Sequence, residues 1–115
     1  MYDSCLLNEK NPHITPTGLH CMLTSSYSVT IPKPIRDILN LSPGDEVIIS
    51  SKHKSNELIV QKFSGNSIEN IMILNERGSF RVPKEFIKFL NLEIGDIFSL
   101  YLNREKQIVL LRKQS

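Results

Sequence analysis

The sequence has no Trp, and its aromatic residues are five Phe and three Tyr. A surface that stacks sugars or bases on aromatic platforms is therefore not expected. Cysteine is equally scarce. Cys5 and Cys21 cannot make a disulfide framework, and the pair points to a reduced, cytoplasmic protein. Together with His13 and His20 they fit no zinc-ligand spacing, so no metal is expected. No stretch approaches the roughly 18 consecutive apolar residues of a membrane helix. Residues Met1 to Lys10 lack the basic stretch and apolar run of a secretory signal, so no membrane partner is expected either. There is no P-loop, no dinucleotide-binding glycine pattern, no H-E-x-x-H and no Ser/His/Asp order. The expectation is a protein that is not an enzyme and needs no cofactor. The net charge of +2, from 14 Lys and Arg against 12 Asp and Glu, is too small to name a partner by itself.

What the sequence does have is self-similarity. The 115 residues suit one compact domain or two very small ones, and 40% hydrophobic with 23% charged residues marks a globular chain. Shifted by 51 positions, the chain overlays itself without a gap from about residue 22 to residue 62. Pro32-Lys33 falls on Pro83-Lys84, Leu39-Asn40-Leu41 on Leu90-Asn91-Leu92, and Gly44-Asp45 on Gly95-Asp96. Ser28 meets Ser79 and Lys62 meets Lys113, while apolar positions such as Val29/Phe80, Ile35/Phe86 and Val47/Phe98 agree in type.

Each copy reads as β-β-α-β-β. A first strand is predicted near Leu19–Thr24 and its copy near Ile71–Asn75. After a short turn, Ser28–Ile31 and Ser79–Val82 alternate polar and apolar residues and form the second strands. Pro32 and Pro83 end them, because proline has no N–H to give a ladder. Short helices follow over about Lys33–Asn40 and Lys84–Asn91. Ile35, Ile38 and Leu39, copied by Phe86, Phe89 and Leu90, make one apolar face at helical spacing. The Gly-Asp pairs read as turn chemistry, with glycine free to take a positive φ. Third strands are predicted at Glu46–Ser50 and Ile97–Leu102, and fourth strands at Leu58–Lys62 and Ile108–Arg112.

This grammar divides the chain into a mobile arm at 1–17, unit 1 at 18–62, a polar linker at 63–70 and unit 2 at 71–115. A unit of this size has too little core to fold alone without a disulfide or a metal. The two must bury their apolar faces on each other, as a homodimer fused into one chain would. A further homodimer of the whole chain is compatible with the same pattern.

The string from Val29-Thr30-Ile31-Pro32-Lys33 through Leu39-Asn40-Leu41-Ser42-Pro43-Gly44-Asp45 resembles the signature of the AbrB/MazE/SpoVT swapped-hairpin family, and Phe80 to Asp96 is a looser second copy. The single-chain tandem arrangement is also similar to MraZ, but the D-x-x-x-R motif of that family is absent. The resemblance implies a mainly β fold with short helices, in which tandem units exchange hairpins to form a pseudo-dimeric β-barrel. It also implies a prokaryotic transcriptional regulator or antitoxin that binds duplex DNA, often by shape. Carried over residue by residue, the implied DNA contacts are thinned. The family's basic residue before the I-P strand falls on Ser28 and Ser79, and its basic residue in the first strand falls on Cys21 and Met72. The basic pair of the helix leaves Arg36 in one copy and Lys88 in the other.

Residues 1–62 hold six basic and six acidic side chains, and residues 63–115 hold eight and six. The expected DNA-binding set is therefore weighted to the second unit: Arg77, Arg81, Lys84 and Lys88, joined by Lys33 and Arg36 from the first. The lost basic positions leave a second reading. In it the fold is an interaction module, antitoxin-like or anti-regulator, that holds another protein.

Overall fold

The computed structural model of the chain describes residues 14–51, 57–63, 65 and 70–114. Most of the expected arm, most of the expected linker and the loop around Lys52 and Lys54 lie outside these residues. The described chain runs β1 (Ile14–Met22), β2 (Ser28–Thr30), α1 (Lys33–Leu39), β3 (Glu46–Ser51), β4 (Glu57–Lys62), β5 (Ile71–Ile73), β6 (Ser79–Arg81), α2 (Lys84–Phe89), β7 (Ile97–Asn103) and β8 (Ile108–Lys113).

The strands make two antiparallel sheets. One has six strands in the order β1-β7-β8-β4-β3-β5, and the other pairs β2 with β6. The pairing crosses between the copies. β1 bonds to β7 of the second copy, and β5 bonds to β3 of the first. The mainly β, hairpin-exchanged architecture expected from the sequence is what forms. The six-stranded sheet does not close on itself. β1 and β5 stay at the two edges of the large sheet, and β2 and β6 form a separate ribbon of three residues per strand. Proline explains the interruption. Pro32 and Pro83 stop β2 and β6 before their ladders can run on.

One strand boundary also differs. β1 begins at Ile14, inside the segment expected to be a mobile arm, and pairs through Ile14 with Asn103. The sequence hid this start because Pro16 and Gly18 look like loop residues. The ladder absorbs them as a register shift between Pro16 and His20, with Gly18 at φ +77°.

The core is one cluster shared by both copies. Each of its residues except Leu102 has its partner, 51 positions away, in the same cluster: Leu23 with Leu74, Val29 with Phe80, Ile35 with Phe86, Val47 with Phe98, Leu58 with Val109. β8 lies between β7 and β4 with Val109, Leu110 and Leu111 buried, so this apolar strand is internal as its composition requires. The helices bury Ile35 and Leu39 in one copy and Phe86 and Leu90 in the other. Phe89 departs from expectation. It is 54% exposed, because its position sits at the margin of the apolar stripe and α2 is only six residues long.

Candidate functional site

The short ribbon sets the geometry. Alternate strand residues face opposite sides. Val29 and Phe80 point into the core, which leaves Ser28, Thr30, Ser79 and Arg81 on the other side of the ribbon. The Thr30 and Ser79 hydroxyls hydrogen-bond to each other across it. The turns before each strand use side-chain oxygens to hold the backbone. Asn75 Oδ1 accepts from the N–H groups of Arg77 and Ser79 at 2.9 and 3.0 Å, and Thr24 Oγ1 accepts from Ser28 N–H at 3.3 Å. Each turn then reaches across to the other copy: Ile31 N–H donates to Gly78 O and Val82 N–H to Tyr27 O, at 2.9 and 2.8 Å. Tyr27 and Gly78 are equivalent positions, and both have left-handed backbone, φ 59° and 79°.

This exchange places the six expected cations in unequal roles. Arg36, on α1, turns inward. Its Nε donates to Ile31 O at 2.8 Å, and its side chain lies over Gly78, where a Cβ would overlap the guanidinium. Arg77 sits exposed in the turn beside that contact. Arg81 reaches the opposite turn, with Nε donating to Ser26 O at 3.3 Å. Lys33 is 75% exposed and lies 3.7 Å from Asp37 of its own helix, a weak surface pair. Lys84 and Lys88 are exposed on α2. The structure thus groups Arg36 with Arg77 at one end of the ribbon and Arg81, Lys84 and Lys88 at the other.

The second group surrounds a cleft of about 420 Å³. Arg81, Lys84 and Lys88 line it together with the apolar surfaces of Tyr27, Met72 and Ile87, and among the described residues no carboxylate lines it. Tyr27 belongs to this site as well. Its signal was there: a bulky aromatic stands in the first copy where the second has glycine.

Two further arrangements bear on chemistry. Asp45 and Asp96, both read as turn residues, do that work. Their Oδ2 atoms accept from the N–H groups of Ser42 and Glu93 at 2.8 and 2.7 Å and lie 3.7 and 3.5 Å from Lys62 and Lys113. On the sheet, the buried carboxylate of Glu57 takes Nε of Arg112 at 2.7 Å, and the Arg112 guanidinium stacks 4.5 Å from the Tyr101 ring centroid. Burial alone would lower the Arg112 pKa; the hydrogen bond and charge of Glu57, with help from Tyr101, raise it on balance, so the cation is permanent. Burial pushes the Cys21 thiol up to about 12. Among the described residues no group of three or more His, Cys, Asp or Glu is placed to hold a metal, and no helix is long and apolar enough to cross a membrane.

Residues 22–63 match the family model described as "Antidote-toxin recognition MazE, bacterial antitoxin". The first unit is similar to the MazE antitoxins. The match spans one copy of the repeat, and the second copy lies outside it. No curated protein matches the chain. Among solved structures, the solution structure of PHS018 from Pyrococcus horikoshii is similar, at 17% identity and a TM-score of 0.46, over 84% of this chain and 92% of that one.

Proposed function

We propose that the chain is a prokaryotic, cytoplasmic DNA-binding transcriptional regulator of the AbrB/MazE type. It contacts duplex DNA through Arg77, Arg81, Lys84 and Lys88, with Lys33 and Arg36 from the first copy. The observation that carries this reading is the grouping of these cations around one polar ribbon. Two turns and two short helices flank that ribbon across a local two-fold axis, a symmetry that suits a duplex. Arg36, engaged with Ile31 O, acts mainly by holding the Arg77 turn in place.

The test is an electrophoretic shift with AT-rich duplexes at graded salt. Binding is expected to weaken steeply as salt rises, since each phosphate contact releases counterions. Reversing Arg77, Arg81, Lys84 and Lys88 to Glu should abolish the shift. No shift with any such duplex at low salt would overturn the reading.

A second reading is favoured by one observation: the matched model is that of an antitoxin, and it covers the near-neutral first unit, with five basic and four acidic side chains over residues 22–63. In that reading the fold holds a partner protein. Co-purification from the native host separates the two. Recovery of a stoichiometric protein supports this reading, and recovery of DNA alone counts against it.

A further inference from the structure

The residues that line the cleft on the second copy differ from their first-copy equivalents at a few positions. At the position of Ile87 the first copy has Arg36, which fills the equivalent space by lying over Gly78 and bonding to Ile31 O. In the second copy Ile87 is too short to do this and has no donor for the matching carbonyl of Val82. Tyr27, standing in the place of Gly78, lines the cleft. Charge changes as well. Asp37, which pairs with Lys33 in the first copy, is replaced by Lys88, and Thr30 is replaced by Arg81. Neither Lys84 nor Lys88 pairs with an acid among the described residues. In the first copy Arg36 therefore occupies this place and Lys33 is paired with Asp37. The second is open, apolar inside and cationic at its rim.

We propose that this cleft is a binding site for a small organic anion with an aromatic or branched apolar body and one acidic group. About 420 Å³ suits a small ligand. The apolar body would lie between Tyr27, Met72 and Ile87, removing their surface from water. The acidic group would meet Arg81, Lys84 and Lys88, where charge-assisted hydrogen bonds need no rearrangement of a competing carboxylate. The site shares Arg81, Lys84 and Lys88 with the proposed DNA face, but it does not rest on that reading, since probe binding is measured without DNA and either can fail alone.

The experiment uses the full chain and two probes that share one body. 8-Anilino-1-naphthalenesulfonate carries a sulfonate, and N-phenyl-1-naphthylamine lacks it. Fluorescence titration is expected to show one sulfonate probe per chain, with the uncharged probe binding roughly tenfold more weakly or worse. Ile87→Arg, which copies the first unit's Arg36, should remove binding of both probes. The double variant Lys84→Gln/Lys88→Gln, confined to exposed side chains, should leave the fold intact and bring the two probes to similar affinity. Equal binding of the two probes by the unmodified chain would overturn the proposal. So would a sulfonate affinity that the Lys84/Lys88 double variant leaves unchanged, or undiminished binding by folded Ile87→Arg. If Ile87→Arg does not fold, as read by circular dichroism, the lysine variant and the probe comparison decide. A DNA shift in the absence of probe tests the other reading separately.

Discussion

Ile59 on β4 lies directly opposite Leu110 on β8, and each is the other's repeat copy. An antiparallel pair whose members are equivalent marks a local two-fold axis. The ribbon marks the same axis, since Val29 faces Phe80. Backbone bonds at the Gly-Asp turns obey it. Leu23 N–H to Asp96 O answers Leu74 N–H to Asp45 O, and Gly95 N–H to Leu23 O answers Gly44 N–H to Leu74 O. The molecule is built as a dimer is built, with the two halves joined in one chain.

It follows that neither half has its own sheet. β1 has its ladder partner in the second copy and β5 in the first. The full chain should unfold in urea in one two-state transition, by circular dichroism and Tyr fluorescence alike. A fragment of residues 1–63 should give no folded monomer, only unfolded chain or a homodimer, on size-exclusion chromatography with light scattering.

At the axis, Phe80→Ala should cost about 3–5 kcal/mol of unfolding free energy. Combined with Val29→Ala, the double variant should deviate from the sum of the singles, because the two side chains share one site in the core. Urea midpoints with an unchanged m-value would show that the loss is one of packing.

The two Gly-Asp turns offer a paired test. Asp45→Ala and Asp96→Ala each remove an acceptor for a backbone N–H and a partly exposed lysine contact. Each should cost roughly 1–2 kcal/mol, most of it from the hydrogen bond. The double variant should cost close to the sum, as the two carboxylates share no partner.

Gly78 should tolerate no side chain. Gly78→Ala meets both an unfavourable φ of +79° and the Arg36 guanidinium. The expected loss is ~1–2 kcal/mol from the backbone alone, and more from the displaced arginine. Arg36→Ala in the same background should recover part of the loss if the contact is the cause. Thermal melts of the two single variants and the double check this.

Cys21 gives a pH dependence. With its pKa pushed from 9.0 to about 12 by burial, the folded protein holds the thiol proton over a range in which the unfolded chain releases it. Stability from this group is therefore complete below pH 9 and falls as pH climbs towards 12. The difference in urea midpoint between the natural chain and Cys21→Ala should narrow or reverse from pH 8 to pH 10.5. Iodoacetamide at pH 8 should modify Cys21 at least ~tenfold more slowly in the native protein than in urea. Peptide mapping would report the rate.

Much of this was legible in the chain. The repeat, the strand and helix types, the proline stops and the Asp turns all follow from local chemistry, and local chemistry is carried by residue type and spacing. Phe89 and the start of β1 were not legible for the same reason in reverse. Whether an apolar residue at the margin of a helix is covered, and whether Pro16 and Gly18 can be absorbed as a bulge, depends on what the rest of the fold lays beside them.

The cation set shows the same division. The resemblance and the charge count singled out Lys33, Arg36, Arg77, Arg81, Lys84 and Lys88 from the sequence, without saying which way each side chain turns. By itself, the sequence determined that the protein is a doubled β-β-α-β-β unit whose halves need each other, because each unit holds too little apolar surface for a core of its own. The tertiary structure alone decided that strands trade partners without closing a barrel. It also decided that Arg36 turns in to cover Gly78, while Ile87 leaves a cationic cleft open. Those outcomes depend on side chains that meet across the two-fold axis, and residues 51 positions apart become neighbours only when the chain has folded.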